Sequence, residues 1–381
     1  MKVLCESPVN FEELAEEEIE RLIQRYPYEV KPGRLFLDCS RRDIAKLCYG
    51  ARVLERVSIL LFDGRWETLE DMQSIAEHLS YRDYIDGNES FAVENYRVES
   101  EPGYHSFKTP EMEKHLGQGV INSYQGEAGV RPRVNLEAPD VTVRTYVYDD
   151  GLAIGINCSG DLNERGYRWV IPRHAISPTV VSGLLSHIKW EGEGSLLNPL
   201  CWDGTISIEA GIMAKNIAPG SISYNFALQK FLKRNNIDLE EIKQEFQTRR
   251  DVKVRIVGVD KEHWVSVAKG NAERANVADI VEFEKWPVLK LKNFLTGEFD
   301  LIISHIPTYL ERMPYDAAGR LISKLAFAMK EVAREGAKIA LLAELIYPEF
   351  VMENLERAGL TPREILSAIA YNKREYSILI C

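Results

Sequence analysis

A short apolar run, Leu196-Leu197, leads through Asn198-Pro199 into the loop Cys201-Trp202-Asp203-Gly204-Thr205 and then into a helical run. Strand, tight loop and helix in that order suit a nucleotide-binding turn. Such a turn needs glycine wherever a cofactor lies against the backbone. Gly204 meets that need; Trp202, two residues earlier, stands where a second glycine is expected. In dinucleotide folds an acid follows the glycine loop by one strand. Asp260, which closes the run Val254–Asp260, is that acid. A further apolar run, Asp300–Ile306, ends in His305 and is followed by Pro307-Thr308-Tyr309. Taken alone, Trp202 reads equally well as a core aromatic sealing a site, Asp260 as a solvated strand-end acid and His305 as a packed imidazole.

The elements that must position these residues are legible as a pattern. From Leu196 onward apolar strands alternate with helices. Strands are expected at 196–200, Val254–Asp260, Asp300–Ile306, Lys338–Leu345 and Glu375–Cys381, and helices at Thr205–Asn216, His263–Asn276, Ala318–Arg334 and Tyr347–Ala358. That alternation predicts a mostly parallel, doubly wound sheet, whose ligands bind at the carboxyl ends of the strands near the switch point. Upstream, the chain predicts small α+β units. A helix capped by Asn10 runs to Arg25. Strands are expected at Arg34–Cys39, Ser58–Phe62 and Ser90–Val98, and helices at Asp43–Leu54, Thr68–Leu79 and Lys114–Tyr124. Val141–Tyr148 and Leu152–Asn157 form a hairpin about Asp149-Asp150-Gly151. The polar run Asp161–Arg173 connects to a helix that begins at Ser177-Pro178.

The chain has 381 residues, enough for two or three domains. Its formal net charge of −11, from 47 basic and 58 acidic residues, disfavours a general polyanion-binding surface but permits a local basic patch. No run approaches the roughly 18 apolar residues of a membrane span, and the N-terminus lacks the apolar region of a signal peptide. The six cysteines form no CxxC pair, so reduced thiols in a cytoplasmic protein are expected rather than a metal site.

Over most of its length the sequence resembles the THUMP-domain RNA methyltransferases that modify guanosine N2. APDVTVRTYVYDDGLAIGINCSGDLNERGYRW is similar to the end of a THUMP domain, with Ser159-Gly160 and Arg165 to Arg168 at the family's S-G and R-G-Y-R. NPLCWDGTISIEAGIMAKNIAPG is similar to D-P-M-C-G-S-G-T, I-E-A and N-I-A-P-G, and Glu209 takes the place of the acid one helical turn beyond the loop. GVDKEHWVSVAKGNAERANV and IISHIPTYLERM hold the places of the second strand with its helix and of the catalytic N-[LP]-P-Y.

The resemblance implies a ferredoxin-like α+β domain at 1–65, a THUMP RNA-binding domain at 66–160, a linker at 161–180 and a class I, Rossmann-like methyltransferase domain at 181–381. It implies S-adenosylmethionine held by Asn198, Cys201, Trp202, Asp203, Gly204, Thr205 and Asp260, with His305, Pro307 and Thr308 at the catalytic positions. The family has an acid at 198, glycine at 202, a small residue at 203, asparagine at 305 and an aromatic at 308, so the cofactor contact could also have been lost. Two readings follow: N2-methylation of guanosine, in tRNA rather than ribosomal RNA, or a catalytically inactive RNA-binding paralogue whose pocket has been remodelled. RNA, with no DNA and no membrane, is the expected partner. Its phosphates would meet Arg131, Arg133, Arg165, Arg168 and Arg173, with Lys108, Lys230, Lys233 and Arg234 as further cations. Tyr104, His105 and Tyr124 are candidate base-stacking rings.

Overall fold

The computed structural model describes residues 1–381 except 99–103, 105, 174, 224, 250, 296–298, 307–309, 311–312, 345–347 and 371–373. Pro307, Thr308 and His105 therefore lie outside the described residues. The first half runs β1 (Lys2–Glu6), α1 (Glu12–Ile23), β2 (Glu29–Lys31), β3 (Arg34–Asp38), α2 (Arg41–Gly50), β4 (Arg56–Arg65), α3 (Leu69–Glu77), β5 (Ser90–Val98), α4 (Thr109–Ala128), β6 (Arg133–Val134), β7 (Val141–Tyr148) and β8 (Gly151–Asn157). Its eight strands form one sheet in the order β2-β3-β1-β4-β8-β7-β5-β6. The sheet crosses the expected boundary near residue 65 without a break, because β4 pairs antiparallel with β8 from Ser58–Asn157 to Arg65–Gly151. Helices α2 and α3 start at capping boxes in which Ser40 and Thr68 exchange hydrogen bonds with Asp43 and Asp71. Asn10 does not cap α1 as expected: Phe11 is at the cap, and the Asn10 amide donates instead to Ser367 Oγ at 2.9 Å.

The second half runs α5 (Pro178–His187), β9 (Gly194–Pro199), α6 (Thr205–Ala214), α7 (Phe226–Asn235), α8 (Leu239–Lys243), β10 (Val254–Val259), α9 (Glu262–Arg274), β11 (Val281–Glu284), β12 (Phe299–Ile306), α10 (Tyr315–Lys330), β13 (Ala333–Glu344), α11 (Pro348–Arg357), β14 (Glu364–Ile369) and β15 (Glu375–Ile380). Its seven strands lie in the order β11-β10-β9-β12-β13-β15-β14. The first five are parallel; β15 runs antiparallel to both β13 and β14. Strand order reverses at β9, so the crevice beyond its carboxyl end, between β10 and β12, is the switch point.

The two sheets are fastened together. Leu228, Phe231 and Leu232 of α7 and Ile242 of α8 are buried in the same apolar core as β1, α1, α2 and the first sheet's inner face. Lys230 reaches Glu89 at 2.7 Å and Asp140 at 2.9 Å, Arg234 reaches Glu89 at 2.7 Å, and Arg42 pairs with Glu241 at 2.7 Å. The connector after β8 is also pinned. Arg165 and Tyr167 are buried and donate to Glu209 Oε1 at 3.1 and 2.9 Å, while Ser182 donates to Glu209 Oε2 at 2.8 Å. Glu209 thus ties the connector, α5 and α6 into one buried polar knot, satisfied on every side.

Candidate functional site

The loop between β9 and α6 is built as a close-approach turn. Leu200 has φ +58°, Trp202 φ +51° and Gly204 φ +85°. A Cβ on Gly204 would meet Phe283 at 2.9 Å and Ala268 at 3.0 Å, so glycine is required there by packing as well as by φ. Trp202 keeps the left-handed backbone that glycine favours, at a cost of about 1–2 kcal/mol for an L side chain. Its backbone N–H donates to Asp260 Oδ2 at 2.9 Å, and its indole tilts against Trp264 of α9 with centroids 5.3 Å apart. Asp203, almost fully buried, accepts from Thr205 Oγ1 at 2.8 Å and from Arg168 at 3.0 and 3.1 Å, and its carbonyl accepts from the Asn271 amide at 2.9 Å. Cys201 is buried, and burial pushes its thiol well up. Asn198 is buried too, and bridges strands: its amide donates to the Ile303 carbonyl at 2.9 Å and its oxygen accepts from Ser207 at 3.2 Å.

Asp260 follows β10 and caps the loop from the other side, accepting also from the Lys261 N–H at 2.7 Å. Burial raises its carboxyl above the usual range, opposed by those two N–H groups. Beside it opens an apolar cavity of about 250 Å³ lined by Leu200, Trp286, Pro287, Ile306 and Leu325. This is slightly below the ~300 Å³ at which small-molecule pockets begin, and it is apolar enough for a heterocycle. The opposite side of the loop is nearly filled. Trp202, Asp203, Thr205, Ile176 and His305 enclose about 10 Å³, room for one water at most. His305, on β12, is buried with Nε2 3.6 Å from Glu344 Oε1, and Arg374 holds the same oxygen at 3.2 Å. The structure therefore brings Trp202, Asp203, Thr205 and His305 around one small cavity and sets Asp260 on a separate, larger one. Cys201 also lines the small cavity, whereas Asn198 lines neither and knits the strands beneath.

The expected RNA-binding arginines divide. Arg131, Arg133 and Arg173 are exposed. Arg165 is not a phosphate contact: its guanidinium is buried and committed to Glu209, the Leu162 carbonyl at 2.5 Å and the Arg52 carbonyl at 2.9 Å. Arg168 is likewise held, side chain 6% exposed, on Asp203. Lys230 and Arg234 face Glu89 and Asp140 rather than solvent anions, and Tyr124 is a core ring, whereas Tyr104 and Lys233 are exposed. Sequence reasoning missed Asn271, Glu344 and Arg374. A polar residue within the buried face of α9 and an acid closing the apolar run of β13 were the available signals.

Comparison with known proteins agrees with this architecture. Residues 165–359 match the family described as RMKL-like, methyltransferase domain, and residues 67–157 match the THUMP domain. The tRNA (guanine(6)-N2)-methyltransferase of Methanocaldococcus jannaschii is 32% identical over 81% of this chain and 81% of its own length. The protein of the same name from Archaeoglobus fulgidus is 30% identical over 81% of this chain and 74% of its own length. The solved structure of SMU.472 in complex with SAH superposes with a TM-score of 0.79 at 18% identity, covering 100% of this chain and 97% of that one, and so shares the class I methyltransferase fold. With the switch-point rim, the THUMP-bearing sheet and these matches together, the chain belongs to the RMKL-like methyltransferase family.

Proposed function

We propose that the protein transfers a methyl group from S-adenosylmethionine to the exocyclic amine of guanine in tRNA, working in the cytoplasm. The observation that carries this reading is Asp260 at the mouth of the apolar cavity on the switch-point rim. A carboxylate there would accept hydrogen bonds from ribose hydroxyls, and the cavity would take the adenine ring. S-adenosylmethionine supplies an electrophilic methyl group on its sulfonium. Asp260 and the apolar cavity would hold the nucleoside half of that molecule, and Trp202 would adjoin its methionine half. On this reading the base would be presented to His305, whose ring, 3.6 Å from Glu344, would accept a hydrogen bond from an amine. The tRNA assignment is supported by the names of the two archaeal relatives and by the THUMP match. The six cysteines are free thiols, as a reducing compartment keeps them. Among the described residues no helix is long and apolar enough to cross a membrane.

The ~10 Å³ left between Trp202 and His305 favours a second reading, an RNA-binding member that no longer transfers methyl. Titration calorimetry with S-adenosylmethionine, followed by counting of labelled methyl groups in deacylated bulk tRNA, separates the two. Binding with incorporation into guanosine supports transfer. A folded sample that binds tRNA but neither takes up the methyl donor nor labels RNA establishes the second reading.

A further inference from the structure

Residues 169–171, Trp-Val-Ile, form an apolar run on the outside of the connector, with Trp169 74% and Ile171 61% exposed. A tryptophan so exposed contributes little to the core, yet the backbone of this one is tied to the loop. Its backbone N–H donates to Asn271 Oδ1 at 3.1 Å, and the Asn271 amide donates to the Asp203 carbonyl of the loop at 2.9 Å. The Arg274 guanidinium lies over its ring, 4.9 Å from the centroid. Arg274 is exposed and forms no ion pair with a carboxylate among the described residues; its one hydrogen bond goes back to Gly270 of its own helix at 3.2 Å. Ile171 and Pro172 continue into a groove of about 530 Å³ that also includes Ile176 and Arg374. Ile176 is shared with the small cavity at His305, so the groove runs up to the site.

We infer that Trp169 with Arg274 is a stacking platform for an unpaired nucleotide of the RNA, close in sequence to the target base. The inference rests on the RNA reading proposed above. An indole presents a π-face to any base, and a guanidinium without a carboxylate partner offers positive charge for the adjoining phosphate. That is the chemistry by which single-stranded RNA is held without sequence preference. Anchoring through Asn271 and Arg168 to Asp203 gives the platform a fixed place relative to the loop.

The test is fluorescence anisotropy with end-labelled, deacylated bulk tRNA, on the full chain. Trp169→Ala is expected to weaken affinity by about 5- to 100-fold, and Trp169→Phe to retain most of it. Arg274→Ala is expected to lower the slope of log affinity against log salt by about one. Both side chains are exposed, so unchanged thermal midpoints check the fold, and Arg274→Ala carries the test if the indole variants fail to fold. Wild type that binds while both alanine variants bind equally well overturns the inference and leaves the RNA reading standing, the run then being a surface for a protein partner. Wild type that does not bind tRNA overturns both.

Discussion

At the scale of single residues, Trp202 concentrates the conflict between backbone and side chain. Its φ of +51° is the backbone of a glycine loop, while its indole packs on Trp264 and lines a cavity of only about 10 Å³. Trp202→Gly removes about 1–2 kcal/mol of left-handed strain and enlarges the cavity. Calorimetry should then show S-adenosylmethionine binding at least about tenfold tighter than wild type, a gain of ~1.4 kcal/mol. Equal affinities would mean that the indole already stands clear of the methionine half. Asp260 makes the second prediction. Burial raises its carboxyl, so on acidification it takes a proton at a higher pH than the ~3.9 of a free aspartate. Cofactor affinity should fall through that raised value, and Asp260→Asn should flatten the acid limb while lowering affinity throughout. By linkage the same raised value costs folding stability as pH rises past it, so the carboxylate is held against the preference of the fold.

At the scale of elements, much was readable and the misreadings have physical causes. The hairpin about Asp149-Asp150-Gly151 lies where the alternation put it, with β7 at Val141–Tyr148 and β8 at Gly151–Asn157. Strands β9, β10 and β12 were legible because they lie inside the parallel part of the sheet, buried over most of their length, and read as apolar runs. Strand β14 escaped, since EILSAI on an outer strand of the sheet is neither uniformly apolar nor cleanly alternating. Helix α7 was read only as a basic run, because periodicity shows that Leu228, Phe231 and Leu232 share a face but not which core that face enters. The site was half legible: loop and acid follow from local pattern, whereas the partners of Asp203 and His305 lie 35 to 68 residues away in sequence. Arg165 was taken for a surface cation because composition cannot show a buried carboxylate opposite it. Its replacement by methionine strips Glu209 of a buried partner, expected to cost ~3–5 kcal/mol. A urea midpoint shifted down accordingly, with tRNA affinity of the folded protein unchanged, is the expected result; lost affinity at unchanged stability would restore Arg165 as an RNA contact.

At the scale of the whole molecule, the two sheets share a core. Because α7 and α8 complete the apolar interior of the first half, residues 161–381 alone would expose Leu228, Phe231, Leu232 and Ile242. That fragment is expected to aggregate or to lose cooperative unfolding. The full chain should melt in one calorimetric transition whose enthalpy equals its van't Hoff value; two separated transitions would contradict this coupling. A further consequence follows from the ladder between β4 and β8, which welds the THUMP segment to the N-terminal strands as one slab. A slab cannot bend like a tether. On the proposed RNA reading, a strand gripped at its far end would reach the switch-point crevice at a fixed stand-off, as between the jaws of a caliper. The nucleotide would then be selected by its distance from the gripped end, whatever the letters between.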